Sequence, residues 1–168
     1  MRNPITNRWP IGLALLSSLA ACGSFAPGGL PLGTTIEQAR RGVFKPTEEF
    51  GLPGGGTRLE FAQGGQAKQT YMLDFDRNGV LTSSEQVLTE PNLSALTTGT
   101  PAADVRLRFG RPVWVYGVRY PRGEVWNYRF AGGDCVWWQV TIGELDRRVV
   151  ESSVGPDPAC DGRSDPHD

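Results

Sequence analysis

Histidine is almost missing from this chain: His167 is the only one in 168 residues, and it sits in a polar C-terminal stretch. With the only imidazole in that polar tail, no His-dependent triad and no His-rich metal site can be assembled. The remaining polar candidates, such as Glu48-Glu49 and Asp104, read as solvated charges or as acids at a helix N-terminus. The sequence therefore predicts neither an enzyme nor a bound cofactor. An apolar run of the ~20 residues that crosses a bilayer as a helix is also missing, since residues 11–20 supply only about half of it. Charge of one sign is not in excess either: 17 Lys and Arg stand against 18 Asp and Glu, a formal charge of −1. That balance excludes the basic footprint of a nucleic-acid binder.

What the chain does have is a fourteen-residue phrase written twice. The first copy, residues 33–46, reads Gly-Thr-Thr-Ile-Glu-Gln-Ala-Arg-Arg-Gly-Val-Phe-Lys-Pro; the second, residues 99–112, reads Gly-Thr-Pro-Ala-Ala-Asp-Val-Arg-Leu-Arg-Phe-Gly-Arg-Pro. Gly, Thr, Arg and Pro recur at one offset, 99 − 33 = 66. In each copy the threonine is placed to cap a helix that the proline ends, and Pro101 fits the first helical position. Buried positions are expected at Ile36, Ala39 and Val43 in one helix and at Ala102, Val105 and Phe109 in the other, on i, i+3, i+4, i+7 spacing. A phrase repeated in this way predicts two similar lobes.

The N-terminus carries Arg2 and Arg8, then the apolar segment, then Leu19-Ala20-Ala21-Cys22. This is the layout of a secretory signal with small residues before the cleavage point. Its closing cysteine resembles the bacterial lipobox, which implies removal of residues 1–21 and acylation of Cys22. Acyl chains contribute about 0.8 kcal/mol per buried methylene, so several together would hold the protein on a membrane. Gly23 after the cysteine, by resemblance to enterobacterial sorting, implies the outer membrane, with the protein facing the periplasm. Removal of Arg2 and Arg8 leaves 17 − 2 = 15 basic residues against 18 acidic ones.

With 22 Gly and 13 Pro among alternating aromatic and β-branched runs, the remainder reads as strand-rich with a few helices. The predicted class is α+β: two tandem lobes, each a short helical segment packed on an antiparallel sheet of three to four strands. Residues 22–32 form a flexible tether, 33–90 a first repeat, 91–98 a polar connection, 99–154 a second repeat and 155–168 a polar tail. Strands are expected at 57–62, 69–75 and 80–88 after the first helix, with Gly54-Gly55-Gly56 a flexible turn. After the second helix they are expected at 113–119, 125–130, 136–142 and 148–154. Neighbouring strand residues face opposite sides, so Trp137 and Trp138 cannot enter one core together. One of them lies at a lobe interface, under the tail or on a partner surface. Arg106, Arg108, Arg111, Arg119, Arg122 and Arg129 make residues 99–130 locally basic, either a solvated face or a contact for anionic headgroups or an acidic partner. Trp114, Arg119, Arg122 and Trp138 are the partner-surface candidates.

Residues 74–85 admit two readings. Asp74, Asp76, Asn78, Gly79 and Glu85 fit the ligand, glycine and terminal positions of a calcium-binding EF-hand loop. That loop requires helices on both sides, whereas Thr70-Tyr71-Met72-Leu73 is strand-like and Gly64-Gly65 breaks any long helix before it. Asp, Asn and Gly are also what a tight hairpin turn selects, and the hairpin is the favoured reading.

The Gly-x-Thr phrases, their helices with Val and Leu or Phe on one side, and Trp126-x-Tyr128-x-Phe130 on a strand resemble the BamE-like (SmpA/OmlA) outer-membrane lipoprotein family. Residues 72–82 resemble that family's final hairpin. The resemblance implies helices on a three-stranded antiparallel sheet, doubled here as in the β-lactamase inhibitory protein, and a lipid-anchored, non-catalytic role. That role would be exercised by protein contact in assembling outer-membrane barrel proteins or maintaining the envelope. The place of the family's partner-contacting motif holds Pro27-Gly28-Gly29-Leu30-Pro31-Leu32, so no contact residue carries over. An inhibitor-like module with another periplasmic target is the alternative, followed by a calcium-binding lipoprotein.

Lipidation would consume the Cys22 thiol, and export would place the other two cysteines, Cys135 and Cys160, in an oxidising compartment. A Cys135–Cys160 disulfide is therefore predicted, pinning the apolar-poor tail across a sheet edge. Two free thiols or a metal pair are the alternative, but two sulfurs without histidine make an incomplete zinc site.

Overall fold

A computed structural model of the chain describes residues 27–63, 68–132 and 134–160. The signal segment, Cys22, Gly64-Gly65 and His167 lie outside the described residues. The described residues are sheet-rich: among them are two four-stranded antiparallel sheets, each in simple sequential order, and three short α-helices. Helix α1 (Ile36–Arg41) precedes strands β1 (Glu48–Gly51), β2 (Thr57–Ala62), β3 (Thr70–Phe75) and β4 (Leu81–Gln86). Helices α2 (Glu90–Ser94) and α3 (Ala102–Phe109) lead into β5 (Trp114–Arg119), β6 (Arg122–Tyr128), β7 (Val136–Gly143) and β8 (Val149–Pro156). No helix among the described residues is long and apolar enough to cross a membrane.

Both copies of the repeated phrase make the same set of backbone hydrogen bonds. Gly33 and Gly99 take φ of 89° and 88°, a left-handed conformation that glycine adopts without steric cost. Their amides donate to Leu81 O and Val149 O; the amides of those two residues donate back to Thr34 O and Thr100 O; Ile36 N and Ala102 N donate to Gly79 O and Arg147 O. Each phrase is thus stitched to the last hairpin of its own half. The repeated threonine has a different task from the one expected. Thr34 Oγ1 donates to Pro31 O at 2.6 Å and Thr100 Oγ1 to Thr97 O at 2.7 Å, closing the turn before the helix. Capping falls one residue later: Thr35 and Gln38 form a reciprocal capping box on α1, whereas Pro101 occupies the N-cap of α3 without a side-chain cap.

Ile36 and Ala39 of α1 are buried with Leu59, Phe61, Leu73, Phe75 and Leu81. Ala102, Val105 and Phe109 of α3 are buried with Trp126, Tyr128, Trp138, Val140 and Ile142. Val43 departs from expectation: α1 stops at Arg41, Gly42 is its C-cap, and Val43 is 79% exposed. Two elements escaped the sequence pattern. Strand β1 is short and charged, and Gly54-Gly55-Gly56 belongs to a hydrogen-bonded hairpin turn, Leu52 N to Gly56 O at 2.8 Å, that joins it to β2. The connection at 91–98 contains most of α2, capped by Thr89 Oγ1, with Leu93 and Leu96 buried in the larger cluster.

Alternation along β2 and β3 sends Leu59, Phe61, Leu73 and Phe75 to one face and Arg58, Glu60, Met72 and Asp74 to the other. The second half covers that other face. Met72 joins the larger core, Arg58 grips Asp74 through two hydrogen bonds of 2.6 and 2.7 Å, and its third nitrogen donates to Leu107 O of α3 at 2.8 Å. Arg106 of α3 pairs with Glu48 of β1. Glu60 is fully buried, accepting from Thr47 Oγ1 and from Arg111 N, while its Oε2 has no partner among the described residues. Gly110 lets the chain pass it: a Cβ there would come within 2.8 Å of Glu60 Cδ.

Candidate functional site

Among the described residues, α3 and the larger core pack on one face of the second sheet. Along β7 the alternation Trp138, Val140, Ile142 points inward to α3, so Trp137, Gln139 and Thr141 point outward. Register places Trp114 of β5 beside Asn127 of β6, Asn127 beside Gln139 of β7 and Gln139 beside Ser153 of β8. The next outward row is Tyr116, Val125, Thr141 and Glu151. The outer face therefore carries three aromatic rings. Trp114 lies 5.2 Å from Tyr116 and 5.4 Å from Trp137 between ring centroids, tilted by 46° and 43°. With Asn127, Gln139, Pro156 and Pro158 these rings line an open cleft of about 370 Å³, with no charged side chain among the described residues of its wall.

Hydrogen bonds fix the floor of the cleft. Asn127 Nδ2 donates to Trp114 O and Val125 O, and Gln139 Nε2 donates to Asn127 Oδ1 at 2.9 Å and to Tyr116 Oη at 3.3 Å. Trp114 is half exposed, Trp137 is 5% exposed. The latter is roofed by the guanidinium of Arg129, 5.2 Å from its ring centroid, a favourable cation–π geometry.

The tail closes one end. Cys135 and Cys160 are disulfide-bonded, with Cα atoms 5.4 Å apart, inside the range that bridging demands. Arg129 clamps Asp157 through two hydrogen bonds of 2.7 and 3.1 Å, and Asp157 Oδ1 also accepts from Ala159 N. The Arg129 hydrogen bond, ahead of a smaller contribution from Ala159 N, holds the Asp157 carboxyl below the usual carboxylate range. Asp157 N donates to Cys135 O, so disulfide, ion pair and backbone bond together fix Pro156 and Pro158 at the cleft.

No family model, characterised protein or solved structure matches this chain.

The predicted surface residues separate. Trp114 lines the cleft, but Trp138 is buried in the core against Phe130, its indole N–H donating to Ser152 Oγ, and offers a partner almost nothing. Arg119 and Arg122 lie at the far end of the sheet, where they line a second opening of about 390 Å³ with Glu124, Glu144 and Arg147. There Arg122 pairs with Glu144 and Arg147 with Glu124, so positive charge is largely answered locally. Tyr116, Asn127 and Gln139 were not singled out in the sequence, and Trp137 was set opposite Trp138 without being chosen as the surface residue; the alternation Trp138-x-Val140-x-Ile142 is the signal that assigns Trp137 to the outside.

Residues 74–85 form the β3–β4 hairpin, so strands stand where an EF-hand would have helices. Asp74 is engaged by Arg58. Asp76 Oδ1 accepts from Asn78 N and Val80 N within its own turn, and the Val80 amide is the main cause that holds this carboxyl low. Asn92 Nδ2 donates to Glu85 Oε1 at 2.7 Å. Cys22 lies outside the described residues.

Proposed function

We propose that this chain is a lipid-anchored outer-membrane lipoprotein, held at Cys22 and facing the periplasm, that works by protein contact and catalyses nothing. Its two halves are tandem lobes, each a short helix on an antiparallel sheet, in the manner of the BamE-like (SmpA/OmlA) family. Its role is that of an accessory in outer-membrane barrel assembly or envelope integrity. The observation that carries the reading is the open outer face of the second sheet, where Trp114 stays half exposed beside Tyr116 and Trp137. Aromatic residues enrich the centres of protein interfaces and are expensive to leave in water without use. The resemblance of Leu19-Ala20-Ala21-Cys22 to a lipobox supports the anchor, and the duplicated hydrogen-bond ladder supports the tandem arrangement. The Cys135–Cys160 disulfide is in keeping with an oxidising compartment.

Affinity capture from detergent-solubilised envelopes, followed by mass spectrometry, tests the reading. Recovery of barrel-assembly subunits with the wild-type chain and their loss with Trp114→Ala is the expected result. Capture of a different periplasmic protein through the same residue would favour the inhibitor-like alternative. Retention of every partner by Trp114→Ala would remove the outer face from the mechanism.

A further inference from the structure

We propose that the cleft on the outer face of the second sheet binds a proline-bearing, extended segment of a partner protein; this rests on the reading that the chain acts by protein contact. No charged side chain lines it among the described residues, which favours an uncharged ligand, because burying an unanswered charge is costly. The rings decide between the two neutral chemistries that aromatic surfaces take. A sugar ring stacks face-on against a flat platform. Here Trp114 is tilted by 46° from Tyr116 and by 43° from Trp137, so the rings share no plane and offer no flat platform. An aromatic-lined groove is what a polyproline II segment docks into. The Tyr116 and Trp137 centroids are at most about 11 Å apart, so a segment that reaches across the rings need be little longer than one three-residue turn of that helix at 3.1 Å per residue.

The hydrogen-bonding groups agree. Proline-rich backbone offers carbonyl oxygens and few N–H groups, so it needs donors. The Asn127 amide donors are spent on Trp114 O and Val125 O, which stiffens the floor. Tyr116 Oη accepts from Gln139 Nε2 and keeps its own proton to donate, and the Trp114 indole N–H has no protein partner among the described residues. The chain already places two prolines of its own in this wall: Pro156 and Pro158, flanking Asp157, line the cleft together with Trp137. A ligand over Trp114 and Tyr116 would extend that arrangement along the sheet.

The test is binding of an acetylated, amidated (Ala-Pro-Pro)4 peptide to the full chain in detergent, read by tryptophan fluorescence and calorimetry. The same measurement is made with (Ala-Gly-Gly)4 and with chitotetraose. Saturable binding of the proline peptide is expected, with (Ala-Gly-Gly)4 and chitotetraose each at least about tenfold weaker. Trp114→Ala should weaken the proline peptide by about tenfold or more, the scale of an interface anchor. Tyr116→Phe, which deletes only the hydroxyl, should weaken it by a smaller factor without disturbing the strand. No saturation by millimolar peptide, equal affinity for the proline and glycine peptides, preferential binding of chitotetraose, or indifference to both substitutions would overturn the proposal. If the peptide fails while envelope capture still depends on Trp114, protein contact stands and the proline chemistry falls.

Discussion

The two sheets share an order and a pattern of hydrogen bonds, yet they treat their second faces in opposite ways. On the first sheet both faces are covered: α1 takes Leu59 and Phe61, and the second half covers Glu60 and Met72. On the second sheet α3 and the larger core take one face, and the other displays Trp114, Tyr116 and Trp137. Strand alternation alone requires apolar residues on a covered face. The first sheet needs its buried side chains for stability, while the rings outside the second sheet answer to a different requirement. A charged and polar row, including the buried Glu60, was kept where the halves meet; on the second sheet an aromatic row was kept on the face opposite α3, with Trp114 half exposed and Trp137 buried beneath Arg129.

Breaking the covered side should cost most. Phe109→Ala empties a fully buried site against Tyr128 and should destabilise by about 3–5 kcal/mol. Because Met72 of β3 belongs to the same cluster, hydrogen exchange should quicken in the first sheet as well as the second. Protection retained in β2 and β3 would mean that the halves are energetically separate.

The tail comes next. Replacing Cys135 and Cys160 by serine opens a loop of 25 residues, with an expected loss of roughly 3 kcal/mol in the chain-entropy model, measured by chemical denaturation. Asp157 adds a pH dependence in this region. Its folded-state pKa is lowered from the ordinary value of 3.8, so its contribution is complete above that value and is lost as pH falls through the lower folded value. Asp157→Asn should flatten that acid limb of the stability profile; an unchanged limb would assign it to other carboxylates.

A smaller effect sharpens the likeness of the halves. Gly79 and Arg147 occupy the same place in the repeated ladder, with φ of 72° and 52°. A side chain in this region costs about 1–2 kcal/mol. Gly79→Ala should therefore destabilise by that order, aggravated by a Cβ 3.1 Å from Ile36 Cγ2. Arg147→Gly should stabilise by up to about 1 kcal/mol, offset in part by its exposed pairing with Glu124. Equal signs in thermal denaturation would break the equivalence. Comparable in size is Trp114→Ala, expected to cost about 1 kcal/mol, because half of the ring is exposed and the rest packs on Tyr116 and Trp137, while abolishing partner capture; a loss as large as that of Phe109→Ala would make the ring structural.

Much of this plan was legible in the sequence because it is local. Gly-Thr at 33 and 99 marked both helix starts, Asn78-Gly79 marked a hairpin, and cysteine arithmetic gave the Cys135–Cys160 bridge. Three kinds of feature were harder. Val43 kept the helical spacing but lies beyond Gly42, where the helix has ended. Strand β1 and helix α2 are too short and polar for periodicity to speak; partners across the sheet and beneath Leu93 create them. The tryptophan pair was recognised as facing two ways, but the surface role went to Trp138, although Val140 and Ile142 share its side and Gln139 and Thr141 share that of Trp137. The cleft itself depends on Pro156 and Pro158 arriving from outside β7, which no local pattern encodes.

Glu60, finally, bears on how the molecule comes apart. Its carboxylate is sealed by Gly110 and Arg111 of the second half and by Thr47 of the first, and parting the halves would bring water to it together with Met72 and the Arg58–Leu107 link. The smaller cluster is made of first-half residues alone, but the larger one is shared, with Met72 of β3 packed among the side chains of α3 and the second sheet. Calorimetry should accordingly record one heat-absorption peak whose van't Hoff and measured enthalpies agree, so that the doubled sequence melts as one unit, not as two beads on a string.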